Sequence, residues 1–136
     1  MNDKIKVVLD TNIFIAAYWA KRSASARLIN ACLDWSLQAL YSVQVKRETM
    51  RMLRQIKVRA TYLQRLEDFW QRARQVEGIS VDPIRSADPE DQKFLEAAAG
   101  GEADYLISND VHLLSIGYIG RAEIVRPGSA ARILGI

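Results

Sequence analysis

Two aspartates a hundred residues apart follow the same kind of segment: Asp10 ends IKVVLD, and Asp110 closes YLISND. Both segments are short aliphatic and β-branched runs without polar alternation, the pattern of strands buried on both faces of a parallel sheet. In open α/β sheets, ligands sit beyond the carboxyl ends of such strands, where the strand order reverses. Two carboxylates brought together there, with no histidine or lysine directly beside them in sequence, call for a divalent cation.

Two further acids can join them. Glu48, in VQVKRETMRML, has Val45 and Met52 one helical turn away, so it lies on or near an apolar stripe. A carboxylate there costs free energy unless an arginine, a metal ion or a slightly different helix start compensates it, and the residues alone leave these three open. Asp91 belongs to DPED, where Asp88 fits an N-cap, Pro89 the first helical position and Asp91 the third. Capping and the helix dipole already account for an acid at that place. Asp91 is also one turn before Phe94 and Leu95, so its side chain is expected to point towards the sheet.

Asp10, Glu48, Asp91 and Asp110, converging on one sheet edge, would raise one another's pKa. Mg²⁺ or Mn²⁺, one ion or two, removes that penalty. The ion also lowers the pKa of a bound water and neutralises charge developing on a phosphoryl oxygen. Phosphodiester hydrolysis needs that combination and no protein nucleophile.

The elements that must position these acids alternate. A strand is expected over 5–9, with a helix beginning directly after Asp10 in TNIFIAAYW. A second helix should run from an N-cap at Ser23 to Trp35, followed by a strand over 38–43 and two basic amphipathic helices over 44–56 and 60–76. A short strand at 79–81 precedes the turn-like DPIRSADPED. The helix opened by DPED stops at Gly100-Gly101; then come the strand YLIS, a short helix VHLLSI and a last strand at 122–125. Strands alternating with helices imply parallel pairing and a three-layer α/β fold. Residues 1–136 carry no repeat, low-complexity tract or proline-rich linker and read as one domain.

With 136 residues, the chain can bury roughly two-thirds of its unfolded surface. Its longest apolar run, Ile13 to Ala20, falls far short of the ~20 residues that a membrane span takes. Nothing resembles an export leader, and the lone Cys32 excludes an internal disulfide and a multi-cysteine zinc site. A reducing cytoplasm is the expected compartment. Between Lys46 and Arg74, nine cations face three carboxylates, which suits a polyanion and equally suits a solvated helical face. Arg47 and Arg51, flanking Glu48, are the first of these cations expected to hold the backbone of such a polyanion.

Taken together, VVLDTNIF, Glu48, DPEDQKFLEAA and ADYLISNDVHLL resemble a PIN domain. More narrowly they resemble its bacterial toxin–antitoxin branch, the VapC-like ribonucleases, from Val7 to about Pro127. The resemblance implies a single α/β/α domain with a central parallel sheet and a Mg²⁺- or Mn²⁺-dependent endoribonuclease acting on RNA. It also implies a homodimer and a cognate antitoxin. It assigns Asp10, Glu48, Asp91 and Asp110 to the four acidic catalytic and metal-binding positions, with Asn12 and Ser108 holding those acids in place. The chain departs from the family pattern at Gln92, where many relatives have a second acid, at Asn109, where glycine is usual, and in YWAKRSASAR. The alternative is a catalytically silent PIN-fold module that binds RNA or a partner, but a pure binder has no use for four mutually repelling carboxylates. His112 reads as a helix-start residue, Asp104 as a turn residue, Asp88 and Glu90 as caps, and Cys32 as core.

Overall fold

The structure, a computed structural model, describes residues 4–136. Six strands form one sheet in the order β3-β2-β1-β4-β6-β5. In chain order they are β1 (Lys6–Leu9), β2 (Gln38–Tyr41), β3 (Arg74–Gln75), β4 (Tyr105–Ile107), β5 (Tyr118–Ile119) and β6 (Ala122–Val125). All pairings are parallel except β5 with β6, which meet as a tight antiparallel hairpin.

The central strands are buried on both faces, as expected of unalternating apolar runs. Val7, Leu9, Ala39, Ile107 and Val125 point into one core, with Ile13, Phe14, Leu28, Leu66 and Phe69. Val8, Leu40, Leu106 and Ile124 point into the other, with Phe94, Leu95, Ala98 and Leu113. The helices thus divide between two layers. Helices α1 (Thr11–Trp19), α2 (Ala24–Leu33), α4 (Ala60–Arg72) and α7 (Pro127–Leu134) feed the first core. Helices α5 (Gln92–Gly100) and α6 (Val111–Leu114) feed the second. Helix α3 (Val43–Gln55) serves both, through Leu53 and Val45. Cys32 is buried among these apolar groups, its thiol pushed up to about 12 by burial, and is a core residue.

Several expected boundaries move, each for a local reason. Helix α2 ends at Leu33 rather than Trp35, because Asp34 Oδ1 accepts from Ser36 N and Oγ while Trp35 turns left-handed at φ 70°. Strand β2 ends at Tyr41 instead of residue 43, because Ser42 caps α3 by accepting from Val45 N at 3.2 Å. Helix α4 stops at Arg72, not 76, and Arg74–Gln75 pair with Leu40–Tyr41 as the sheet edge. The strand expected at 79–81 does not form, since a short, polar edge strand has already closed that side. Helix α7 and strand β5 were not expected from the sequence.

Gly100 and Gly101 end α5 as anticipated, but not through a left-handed turn, which falls instead at Glu102 (φ 52°). Space is the reason for glycine here. A Cβ on Gly100 would lie 1.9 Å from the backbone oxygen of Glu77, in the segment packed along α5. Gly100→Ala should therefore displace backbone and lower stability by about 2 kcal/mol in urea unfolding. Gly128→Ala in α7, which meets nothing within 4 Å, should not lower it.

Candidate active site

Strand order reverses at β1: β2 leaves on one side and β4 on the other. Their register sets Leu9 against Ile107, and the ladder continues when Asp10 N donates to Ile107 O at 3.0 Å. Asp10 and Ser108 consequently leave the sheet side by side at its switch point.

Ser108, fully buried, joins the two aspartates seen first in the sequence. Its Oγ donates to Asp10 Oδ2 at 2.6 Å and accepts from Asp110 N at 2.9 Å. Asp110 also caps α6, accepting from His112 N at 2.8 Å, which explains the exposed His112 as a helix-start residue. Burial pushes the Asp10 carboxyl up, and the charges of Asp110 and Glu48 add to the rise. The Ser108 hydroxyl and the Thr11 backbone oppose it.

Asp91 is only 6% exposed and lies with Asp110 and Asp88. Its pKa is pushed up to about 7, first by burial, then by sharing a hydrogen bond with Asp110, with the charges of Asp110 and Asp88 adding. Ser86 Oγ donates to Asp91 Oδ2 at 3.1 Å and works the other way. Asp88 caps the turn Pro89–Asp91 as expected, accepting from Glu90 N at 3.0 Å. Gln92, where an acid is common among PIN domains, instead pins this loop. Its Oε1 accepts from Ser86 N, and its Nε2 donates to Ile84 O.

Glu48 projects from α3 towards the same edge, but in different company. Lys93 Nζ lies 2.6 Å from its Oε1, and Thr11 Oγ1 donates to its Oε2 at 3.2 Å. Thr11 is further tied to the buried Thr49 at 3.0 Å, fixing the start of α1 against α3. Of the three compensations open for Glu48, a cation is realised, from a lysine rather than an arginine. Sequence reasoning missed Lys93, Thr11 and Ser86. A signal existed for Lys93: a cation in the first turn of a helix opposes the dipole and calls for an acidic partner.

Asn12 is exposed beside Asp10, and the polar residue that reaches the acids from this turn is Thr11. Arg47 and Arg51 are exposed on α3. Asp104 lies at the opposite end of the strands, accepting from Lys6 N at 2.8 Å and pairing with Arg121 at 2.9 Å, so it clamps the sheet as a turn residue.

The donor set fits a small hard cation. Asp88, Asp91 and Asp110 each offer an oxygen, all within 4.8 Å of one another, and a cation there would offset both the burial and the neighbouring charges that raise Asp91. Asp10 adjoins this trio through Ser108.

Comparison with known proteins agrees with this geometry. The family model for the PIN domain matches residues 6–112. VapBC2 from Rickettsia felis, solved bound to a DNA fragment from its promoter, superposes with a TM-score of 0.62 at 13% identity, covering 90% of this chain and 98% of that one. PAE2754 from Pyrobaculum aerophilum gives 0.60 at 12% identity, covering 96% and 90%. No curated protein matches. With strand-ending aspartates at the switch point and a match over most of its length, this chain belongs to the PIN domain family.

Proposed function

We propose that this protein is a Mg²⁺- or Mn²⁺-dependent endoribonuclease and the toxin of a bacterial toxin–antitoxin pair. The observation that carries the chemistry is the convergence of Asp91 with Asp110 and Asp88, carboxylates kept together although burial, and after it the neighbouring acids, push Asp91 up to about 7. A purely structural edge has no reason to bear that cost. The Rickettsia felis neighbour, VapBC2 on promoter DNA, supports the toxin–antitoxin role. A cognate antitoxin, a homodimer and a cytoplasmic setting belong to this reading.

Asp10, Glu48, Asp91 and Asp110 form the catalytic set. Asp91 and Asp110, with Asp88 or Asp10, are the residues that would hold a divalent ion; when bound, it activates water and neutralises phosphoryl charge. Ser108 holds the Asp10 carboxylate and the Asp110 backbone, and His112 N holds the Asp110 carboxylate, so both acids are already ordered when substrate arrives. Arg47 and Arg51, on the outer face of the helix that carries Glu48, hold the RNA backbone as charge-assisted donors.

The test is cleavage of single-stranded RNA and of DNA of the same sequence, with Mn²⁺ and with EDTA. Cleavage of RNA that EDTA abolishes is the expected result. The double variant Arg47→Ala/Arg51→Ala should raise KM about tenfold with little change in kcat, because it removes phosphate contacts made equally in ground and transition states. Metal-independent cleavage, or none with any RNA, would sink the proposal.

A further inference from the structure

Glu48 and the three aspartates Asp88, Asp91 and Asp110 are treated differently by their surroundings. The aspartates face one another, each offering an oxygen within 4.8 Å of the others. Both oxygens of Glu48 already have donors: Lys93 Nζ at 2.6 Å on Oε1 and Thr11 Oγ1 at 3.2 Å on Oε2.

Lys93 is not a stray surface cation. Its side chain is only 20% exposed, against 17% for Glu48, so the pair is largely out of water. Its ammonium is held from a second direction by Glu90, through the backbone oxygen and through Oε2 at 3.3 Å. A third contact places it 5.4 Å from the centroid of the Phe94 ring. Four groups thus define the position of one nitrogen. Lys93 is also two residues past Asp91 and springs from the same helix start, so the cation and that acid are anchored to one rigid element.

A two-ion centre needs two metals about 4 Å apart, sharing carboxylates that bridge or flank them. Glu48 would have to be among the ligands of such a second metal, since it is not among the three aspartates that would hold the first. With an ammonium on one oxygen and a hydroxyl on the other, it is closed to that role. We propose that Lys93 is the second cation of this centre. The acids therefore take one divalent ion, on the Asp91–Asp110 side, and the Lys93 ammonium supplies the other positive charge towards the scissile phosphate. Glu48 is then a positioning residue for Lys93 rather than a metal ligand. The inference rests on the metal-dependent reading above and assigns the parts within it.

Counting bound Mn²⁺ by titration of the intact protein, followed by electron paramagnetic resonance, tests this independently of cleavage. One ion per chain is expected for the unaltered protein and for Lys93→Arg. Lys93→Met releases Glu48 and should bind a second Mn²⁺. Glu48→Gln should keep one ion with less than tenfold loss of affinity, whereas Asp110→Asn should lose at least tenfold. On RNA, Lys93→Met should lower kcat about a hundredfold, with Lys93→Arg recovering part of it.

Two Mn²⁺ per unaltered chain would overturn the proposal. So would a Lys93→Met variant that still binds one ion, or a Glu48→Gln variant whose affinity falls as far as that of Asp110→Asn. Should RNA remain uncut while the ion counts follow expectation, the ribonuclease reading fails and the assignment of Lys93 stands.

Discussion

Asp110→Asn should leave the protein folded and lower Mn²⁺-dependent RNA cleavage by about 10³-fold or more. The fold survives because asparagine is as good an N-cap as aspartate, so the bond from His112 N is retained at the start of α6. The backbone N–H that donates to Ser108 is unchanged, and the repulsion with Asp91 is relieved. Activity is lost because a neutral amide cannot replace a carboxylate as a ligand for a hard cation. The loss should appear in kcat and kcat/KM together, as for an interaction made in the transition state. Thermal unfolding with and without Mn²⁺ is the companion measurement. The unaltered protein should gain about 2.7 kcal/mol at Mn²⁺ a hundredfold above its Kd, and the variant little at the same concentration. A variant that cuts RNA at more than a tenth of the original rate would remove Asp110 from the catalytic set.

Asp91→Asn should act in opposite directions on stability and on catalysis. The folded-state pKa of Asp91 is raised from 3.8 to about 7, so the native protein binds this proton more tightly than the unfolded chain does. The stability that comes with that proton is fully present below about pH 4 and is lost as pH rises through about 7. Without metal, the unaltered protein should therefore be less stable at pH 8 than the change at other groups would make it. The amide introduced by Asp91→Asn cannot ionise, retains an acceptor for Ser86 Oγ, and places a donor against Asp110. At pH 8 the variant should be more stable by on the order of 1–2 kcal/mol, and the gain should vanish by about pH 4. Cleavage should fall by two to three orders of magnitude throughout, with tenfold or greater loss of Mn²⁺ affinity. Paired urea titrations at pH 5 and pH 8, in EDTA, decide the matter: equal stability differences at both would show that Asp91 is an ordinary surface-like acid.

How much of the site could be read in the chain differs from residue to residue. Asp10 and Asp110 were legible because each ends a strand whose apolar run admits one setting, the middle of a parallel sheet. Asp91 was legible by position, since DPED marks a helix start and the Phe94-Leu95 stripe gives its direction. Glu48 was legible as an acid needing compensation but not as to which, because its partner Lys93 is 45 residues away and comes from another helix. Asn12 was legible as a polar neighbour of Asp10, but not Thr11, which the α1 start turns inward onto Glu48 while Asn12 is exposed. The strand expected at 79–81 failed for a similar reason: local propensity cannot show that Arg74–Gln75 have already occupied the free edge of β2.

What the sequence determined by itself was everything governed by period and punctuation. Unbroken apolar runs demanded a doubly covered sheet, serine and aspartate caps opened the helices, and two aspartates were thereby delivered to the carboxyl edge. Only the tertiary structure decided which charges face which. Charge pairing between distant segments depends on distances of a few ångströms set by packing across both cores, and no spacing rule within one segment contains them. That is why the four acids, equivalent as letters, separate in space. Asp91 and Asp110 are left to one another beside Asp88, Asp10 is tied to Ser108, and Glu48 is claimed by Lys93.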